Sequence, residues 1–239
     1  MVLHLTDCRA IPVAEIKIEG FLSCFTCLLS LMEKLEIHQL TKQYGDHIVL
    51  NQLTFKTDCT VLGIAGPNGS GKSTLLRCIA GLLKPNSGRI SLAVGNRELT
   101  PADLNGEVGY TAPYVELYEG MSATENLQFV QDLKRHKNTD TLPDIGQLLV
   151  RCQANSFSDQ LYGDLSTGQR QRVKLAASLV HDPLLLCLDE PGSNLDADGR
   201  KLIEITVAEF ARPEKLVVIA SNQSDELDYC DELISLDNR

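Results

Sequence analysis

Unbroken apolar runs punctuate this chain, and each ends abruptly in polar residues. "TVLGIAG" (Thr60 to Gly66), "PLLLCLDE" (ending at Glu190) and "KLVVIASNQSDEL" (Lys215 to Leu227) have this form. A strand buried on both faces of a parallel sheet requires such a run, and ligands in open α/β folds bind beyond the carboxyl ends of such strands. By contrast, "LEIHQL" and "HIVLNQLTFKT" alternate apolar and polar residues, which predicts half-exposed antiparallel strands, and "GRISLAV" predicts another strand. "KSTLLRCIAGLL" has helical spacing and is closed by Gly81, with Pro85 just beyond. From about Tyr114 to Val180 the pattern is mainly helical with charged, solvated faces, and a helix over Asp198 to Phe210 separates the final two apolar runs. The order predicts a β-rich edge, an α/β core interrupted by a helical insert at about 114–180, and a return to the core. "KLVVIAS" is read as the last core strand.

Residues 1–31 stand apart from this pattern. "GFLSCFTCLLSL" is apolar, but Asp7, Glu15 and Glu19 precede it and no small-residue cleavage site follows, so it makes a poor secretory signal. Two readings stay open: the working protein begins at Met32, leaving one domain over 32–239, or the leader is an amphipathic membrane-associating or regulatory segment. No stretch of the chain reaches the roughly 18 apolar residues of a membrane span.

Composition narrows the function classes. With 239 residues, 43% hydrophobic and 23% charged, the chain suits a soluble globular protein. Its net charge of −10 argues against a nucleic-acid footprint, which needs clustered Lys and Arg. The eight cysteines, Cys8, Cys24, Cys27, Cys59, Cys78, Cys152, Cys187 and Cys230, are mostly scattered through apolar or helical patterns. They read as reduced thiols of a cytosolic protein. "CFTC" has redox or metal-pair spacing but no second pair to complete a site.

The chemistry lies at the polar tips. "GPNGSGKS", Gly66, Pro67, Asn68, Gly69, Ser70, Gly71, Lys72 and Ser73, fits G-x-x-x-x-G-K-[ST] between a strand and a helix, with Thr74 in the first helical turn. Its glycines let successive backbone N–H groups face a polyphosphate, with Lys72 as a point charge and the Ser73 hydroxyl as a Mg²⁺ ligand. "LLLCLDE" ends in Asp189, placed to hold the Mg²⁺ shell, and Glu190, placed to polarise a water. In "LSTGQRQR", Ser166 caps a helix N-terminus and Gly168 allows close approach of a phosphate.

Together these motifs resemble the ATP-binding cassette ATPases, over roughly Leu35 to Leu236. "LSTGQ" is similar to that family's signature LSGGQ, and "SNLD" (Ser193 to Asp196) to its D-loop; Tyr44 falls where the family stacks an aromatic on adenine. The resemblance implies an α/β P-loop NTPase core with an antiparallel β subdomain and an inserted helical subdomain. It also implies ATP and Mg²⁺ as cofactors, and a head-to-tail homodimer or paired cassette subunit in which Ser166, Gly168 and Gln169 contact the partner's nucleotide. A transmembrane permease subunit would hold the protein on the inner face of the cell membrane. The expected activity is ATP hydrolysis energising an exporter or related transporter. A nucleotide-dependent clamp with weak hydrolysis and a non-transport cassette ATPase are the alternatives.

Two positions depart from the family. Pro113 stands where a glutamine reaches the metal and attacking water, with Glu116 either its substitute or a surface carboxylate. Asn222 stands where a histidine contacts the γ-phosphate. Asparagine can still donate an amide hydrogen there, but it cannot become a cation or shuttle a proton.

Overall fold

The computed structural model describes residues 34–94, 97–104, 106–134 and 142–236. The 1–31 leader and the Cys24–Cys27 pair lie outside them. Two sheets organise the described residues. Strands β1 (Leu35–Tyr44), β2 (His47–Thr57), β4 (Ser87–Val94) and β5 (Arg97–Leu99) form an antiparallel sheet in the order β2-β1-β4-β5. Strands β3 (Val61–Ala65), β6 (Val108–Thr111), β7 (Leu185–Asp189), β8 (Leu216–Ser221) and β9 (Glu232–Ser235) form a parallel sheet in the order β6-β7-β8-β3-β9.

The continuous apolar runs are strands covered on both faces. Leu216, Val218 and Ala220 point into one core with Leu75, Leu76 and Ile79 of helix α1 (Lys72–Ile79) and with β1 residues Leu35 and Ile37. Val217 and Ile219 point the other way, onto Val173, Ala176, Leu202 and Ile203. That period of two is the pleat. The second layer is built from α2 (Ala123–Lys134), α3 (Ile145–Arg151), α4 (Thr167–Leu179) and α5 (Ala197–Phe210).

Three sequence expectations change. The β8 strand does lie beside β7, but it is not the last strand, because β9 pairs with the opposite edge of β3. Asp231 fixes that addition: its Oδ2 accepts from the backbone N–H groups of Thr60 and Val61 and from the Thr60 hydroxyl. The insert begins with turns rather than helix. Helix α2 starts at Ala123, where Ser122 N donates to Glu125 Oε2 at 2.7 Å and Glu125 N to Ser122 Oγ at 3.1 Å, a reciprocal cap. Helix α5 starts at Ala197, one residue before the expected Asp198, because Asp196 Oδ1 accepts from Gly199 N.

Cys59, Cys78, Cys152, Cys187 and Cys230 are all unbridged thiols. Burial pushes Cys78 up to about 11 and Cys152 up to about 12, so both stay protonated and unreactive. No helix among the described residues is long and apolar enough to cross a membrane.

Candidate functional site

The carboxyl edge of the parallel sheet collects the polar tips. Because β8 lies between β3 and β7, its tip is flanked by the loop after β3 on one side and by Asp189 and Glu190 on the other. The loop after β3 turns into α1 through Gly71, which caps the helix at φ +100°. A Cβ there would also stand 2.9 Å from Val49 Cγ1, so both the backbone and the space demand glycine.

Lys72 is buried, and its ammonium donates to the carbonyls of Gly66 at 2.8 Å and Pro67 at 3.0 Å. The charge is therefore held at the mouth of the loop by weak acceptors that an anion can displace. A cavity of 350 Å³ opens beside it, lined by Val49, Asn68, Gly69, Gly71, Lys72, Ser73, Thr74 and Glu190. Ser70 packs beneath the loop, its buried hydroxyl without a hydrogen-bond partner among the described residues.

Ser73 Oγ donates to Asp189 Oδ1 at 3.0 Å, across from α1 to the end of β7. Asp189 Oδ2 is buried and unpartnered among the described residues. Burial pushes this carboxyl up, the Ser73 hydroxyl pulls it down, and Glu190 pushes it up again. An orphaned carboxylate oxygen beside a hydroxyl is a hard-oxygen pair that fits Mg²⁺. This ion uses one or two carboxylates and takes its remaining ligands from phosphates and water. No group of three or more His, Cys, Asp or Glu that could hold a metal ion occurs among the described residues.

Glu190 lines the same cavity from a left-handed backbone conformation, φ +46°. Its N–H donates to Ala220 O at 2.8 Å, its carbonyl accepts from Ser193 N at 3.1 Å, and its Oε2 accepts from Ser193 Oγ at 3.4 Å. Asn222 Nδ2 donates to Asn68 Oδ1 at 2.9 Å, so the β8 tip meets the phosphate-type loop directly.

Other expected residues sit elsewhere. Tyr44 ends β1 half exposed, with Lys42 Nζ 5.2 Å from its ring centroid, and does not line the Lys72 cavity. Ser166 and Gln169 form a reciprocal cap at the start of α4, the Ser166 Oγ accepting from Gln169 N and the Gln169 Oε1 from Ser166 N. Ser166 lines a separate 390 Å³ pocket with Pro113, Glu116, Lys174, Ser193 and Asn194. Gly168 lies against this same loop: a Cβ added to it would stand 3.8 Å from Asn194 O.

Glu116 faces the helical layer. Its Oε2 accepts from the Tyr162 hydroxyl at 2.8 Å and its Oε1 lies 4.0 Å from Lys174 Nζ. It is thus a surface carboxylate, half exposed, that also ties down the Tyr162 hydroxyl. Lys174 is buried, and its ammonium donates to the carbonyls of Ala112 and Pro113, both at 3.3 Å. Burial pulls its pKa down while Glu116 pulls it up. No apolar spacing marks it, because Gln171 and Ser178, buried on the same helix, are polar as well. Motif reading also missed the Tyr110 and Tyr114 hydroxyls, which bond each other, and Arg77, whose guanidinium stands over the Tyr114 ring. Arg77 Nε donates to Ser73 O at 3.1 Å, bringing this group next to the Ser73–Asp189 pair.

Residues 50–193 match a family model described as ABC transporter. Two curated relatives illustrate the range. The sulfate/thiosulfate import ATP-binding protein CysA of Synechocystis sp. is 31% identical over 206 residues, covering 84% of this chain and 58% of that protein. The "Probable multidrug ABC transporter ATP-binding protein YbhF" of Escherichia coli is 34% identical over 182 residues, covering 74% of this chain and 32% of that protein. The chain thus spans less than two thirds of the length of either. The dimeric structure of a bacterial ABC transporter cassette superposes with a TM-score of 0.70 at 23% identity, over 85% of this chain and 94% of that one, which shows the fold.

Proposed function

The chain belongs to the ABC transporter family, and on that premise we propose that it is the ATP-binding and ATP-hydrolysing subunit of a membrane transporter. The observation that carries this is one juxtaposition. Lys72, Ser73 and Glu190 line a single cavity behind a glycine-turned helix N-terminus, and Ser73 Oγ donates to Asp189 Oδ1 at 3.0 Å. The backbone N–H groups of Gly69 to Ser73 receive the phosphates, and Lys72 exchanges the Gly66 and Pro67 carbonyls for β- and γ-phosphate oxygens. Ser73 and Asp189 would hold Mg²⁺, which when bound neutralises charge on the phosphates. Glu190 takes a proton from the attacking water. Asn222, anchored on Asn68, offers its amide to a γ-phosphate oxygen.

In this reading the protein works as a head-to-tail dimer. Ser166 and Gln169 already satisfy each other, but the Ser166 hydroxyl hydrogen is left to donate to the partner's nucleotide, and Gly168 lets that phosphate approach. Tyr44, exposed at the end of β1, is the adenine platform. The subunit sits on the inner face of the cell membrane through a transmembrane permease.

A second reading, a nucleotide-dependent clamp with weak hydrolysis, is favoured by one observation: Pro113 has no side-chain donor, and Glu116 is committed to Tyr162 and Lys174. Glu190→Gln separates the two. The transporter reading expects ATP binding to persist while single-turnover hydrolysis falls on the order of 10²-fold or more. Parent and variant hydrolysing equally slowly would leave the clamp.

A further inference from the structure

We infer that Glu226 is a positioning residue for Glu190, acting through the backbone of Gly192. The inference rests on the reading of Glu190 as the base. Glu226 lies on α6 (Ser224–Leu227), the single turn that follows Asn222. The residue is 2% exposed, and its Oε1 accepts from Gly192 N at 2.8 Å.

The turn after Glu190 needs outside support. Glu190 holds a left-handed φ that side-chain-bearing residues adopt at a cost, so its surroundings must determine it. Within the turn, Ser193 N bonds Glu190 O and Leu195 N bonds Gly192 O. The Gly192 N–H instead reaches across to α6. The approach is close enough that a Cβ on residue 192 would stand 2.2 Å from Glu226 Oε1. A second tie joins the same two segments: Arg200 Nη1 donates to Leu195 O at 3.1 Å, and Arg200 Nε lies 3.7 Å from Asp225 Oδ2.

Filling this space does not require an acid. Glu226 Oε2 is buried with no hydrogen-bond partner among the described residues, a costly state that an apolar side chain of similar size would avoid. The carboxyl group is explained by the Gly192 amide that donates to it and by the Ser221 hydroxyl beside it. Segment 222–226 therefore touches the phosphate loop at one end, through Asn222 and Asn68, and the Glu190 turn at the other, through Glu226 and Gly192. It sets where the Glu190 carboxylate stands relative to Lys72 and Ser73.

The test uses the purified full chain and Glu226→Leu and Glu226→Gln variants. Hydrolysis at saturating MgATP, the Kd for ATP by equilibrium dialysis, and hydrogen exchange over 190–196 are measured. Misplacing the base lowers kcat of Glu226→Leu on the order of 10-fold or more, with Kd within about twofold of the parent. Glu226→Gln recovers most of that loss, because its side-chain oxygen still accepts from Gly192. Exchange over 190–196 quickens in the Leu variant alone, while β7 and β8 keep their protection.

The inference is overturned if the Leu variant hydrolyses ATP like the parent, if Gln is as impaired as Leu, or if exchange over 190–196 is unaltered. Should Glu226→Leu not fold, Gly192→Ala takes its place. The added methyl displaces the carboxylate and slows hydrolysis, and adding Glu226→Asp, which retracts the acid, restores part of the rate; no restoration overturns the inference. A parent chain that hydrolyses no ATP would sink the functional reading, yet the exchange comparison would still decide the part played by Glu226.

Discussion

Asn222 Nδ2 donates to Asn68 Oδ1 at 2.9 Å, joining the tip of β8 to the loop that precedes α1. The pair is exposed, so the bond is worth about 1 kcal/mol or less in holding the loop. Its larger value is that it aims an amide at the cavity. Asn222→Ala should therefore leave ATP affinity within several-fold of the parent while lowering kcat about tenfold. Asn222→His should raise kcat, since imidazole can also carry charge and a proton. Steady-state hydrolysis with dialysis for affinity checks both. Equal rates in all three proteins would remove Asn222 from the mechanism.

The buried Asp189 Oδ2, unpartnered among the described residues, predicts a metal-dependent gain in stability. ATP at about 100 times its Kd should stabilise the chain by about 2.7 kcal/mol, raising Tm by roughly 5–10 °C for a domain of this size. EDTA should remove part of that shift in the parent. In Asp189→Asn the shift should be smaller and insensitive to EDTA, as read by scanning fluorimetry.

Lys174 closes two backbone carbonyls at the end of β6. Lys174→Met keeps the stem but leaves those acceptors open, which should cost about 1–3 kcal/mol and several degrees of Tm. Glu116→Gln still accepts from Tyr162, and should change stability by about 1 kcal/mol or less. Because Glu116 faces Tyr162 rather than the Ser73–Asp189 pair, Glu116→Gln should also hydrolyse ATP like the parent. A large loss of hydrolysis would restore it as the substitute for the missing glutamine.

Burial pushes the Glu226 carboxyl above its ordinary value of 4.5. The Ser221 hydroxyl and Gly192 N–H pull it back, and Asp225 and Glu190 push it further up. The folded chain thus holds this proton more tightly than the unfolded one. Stability contributed at this site falls as pH rises from the ordinary carboxyl value through the raised one, then levels. Urea unfolding at a series of pH values should show the parent losing stability relative to Glu226→Gln across that window. A gap between the two proteins that is flat with pH would mean the carboxyl is unshifted.

Much of this was legible because the signals are local. β3, β7 and β8 are apolar on both faces, so their runs stand out, and the Gly66–Ser73 loop is contiguous in sequence. Two of the short strands were harder. β5 is three residues, and β9 spans four residues with only Ile234 fully buried, so neither makes a pattern. Lys174 and Glu226 were illegible for another reason: their partners are remote in sequence, at Pro113 and Gly192, and a charge on a helix reads as solvated until those partners are known.

The position of β3 bears on how the protein is made. Its neighbours in the sheet are β8 and β9, both much later in the sequence. During synthesis the Gly66–Ser73 loop emerges well before them, and the strand that leads into it has no pairing edge until residues 216–235 have left the ribosome. Pairings this distant close slowly and leave apolar strands waiting. A nascent chain halted before Leu216 would hold the complete Gly66–Ser73 motif and still lack both strands that flank β3, so nucleotide capture should appear only once β8 and β9 have formed.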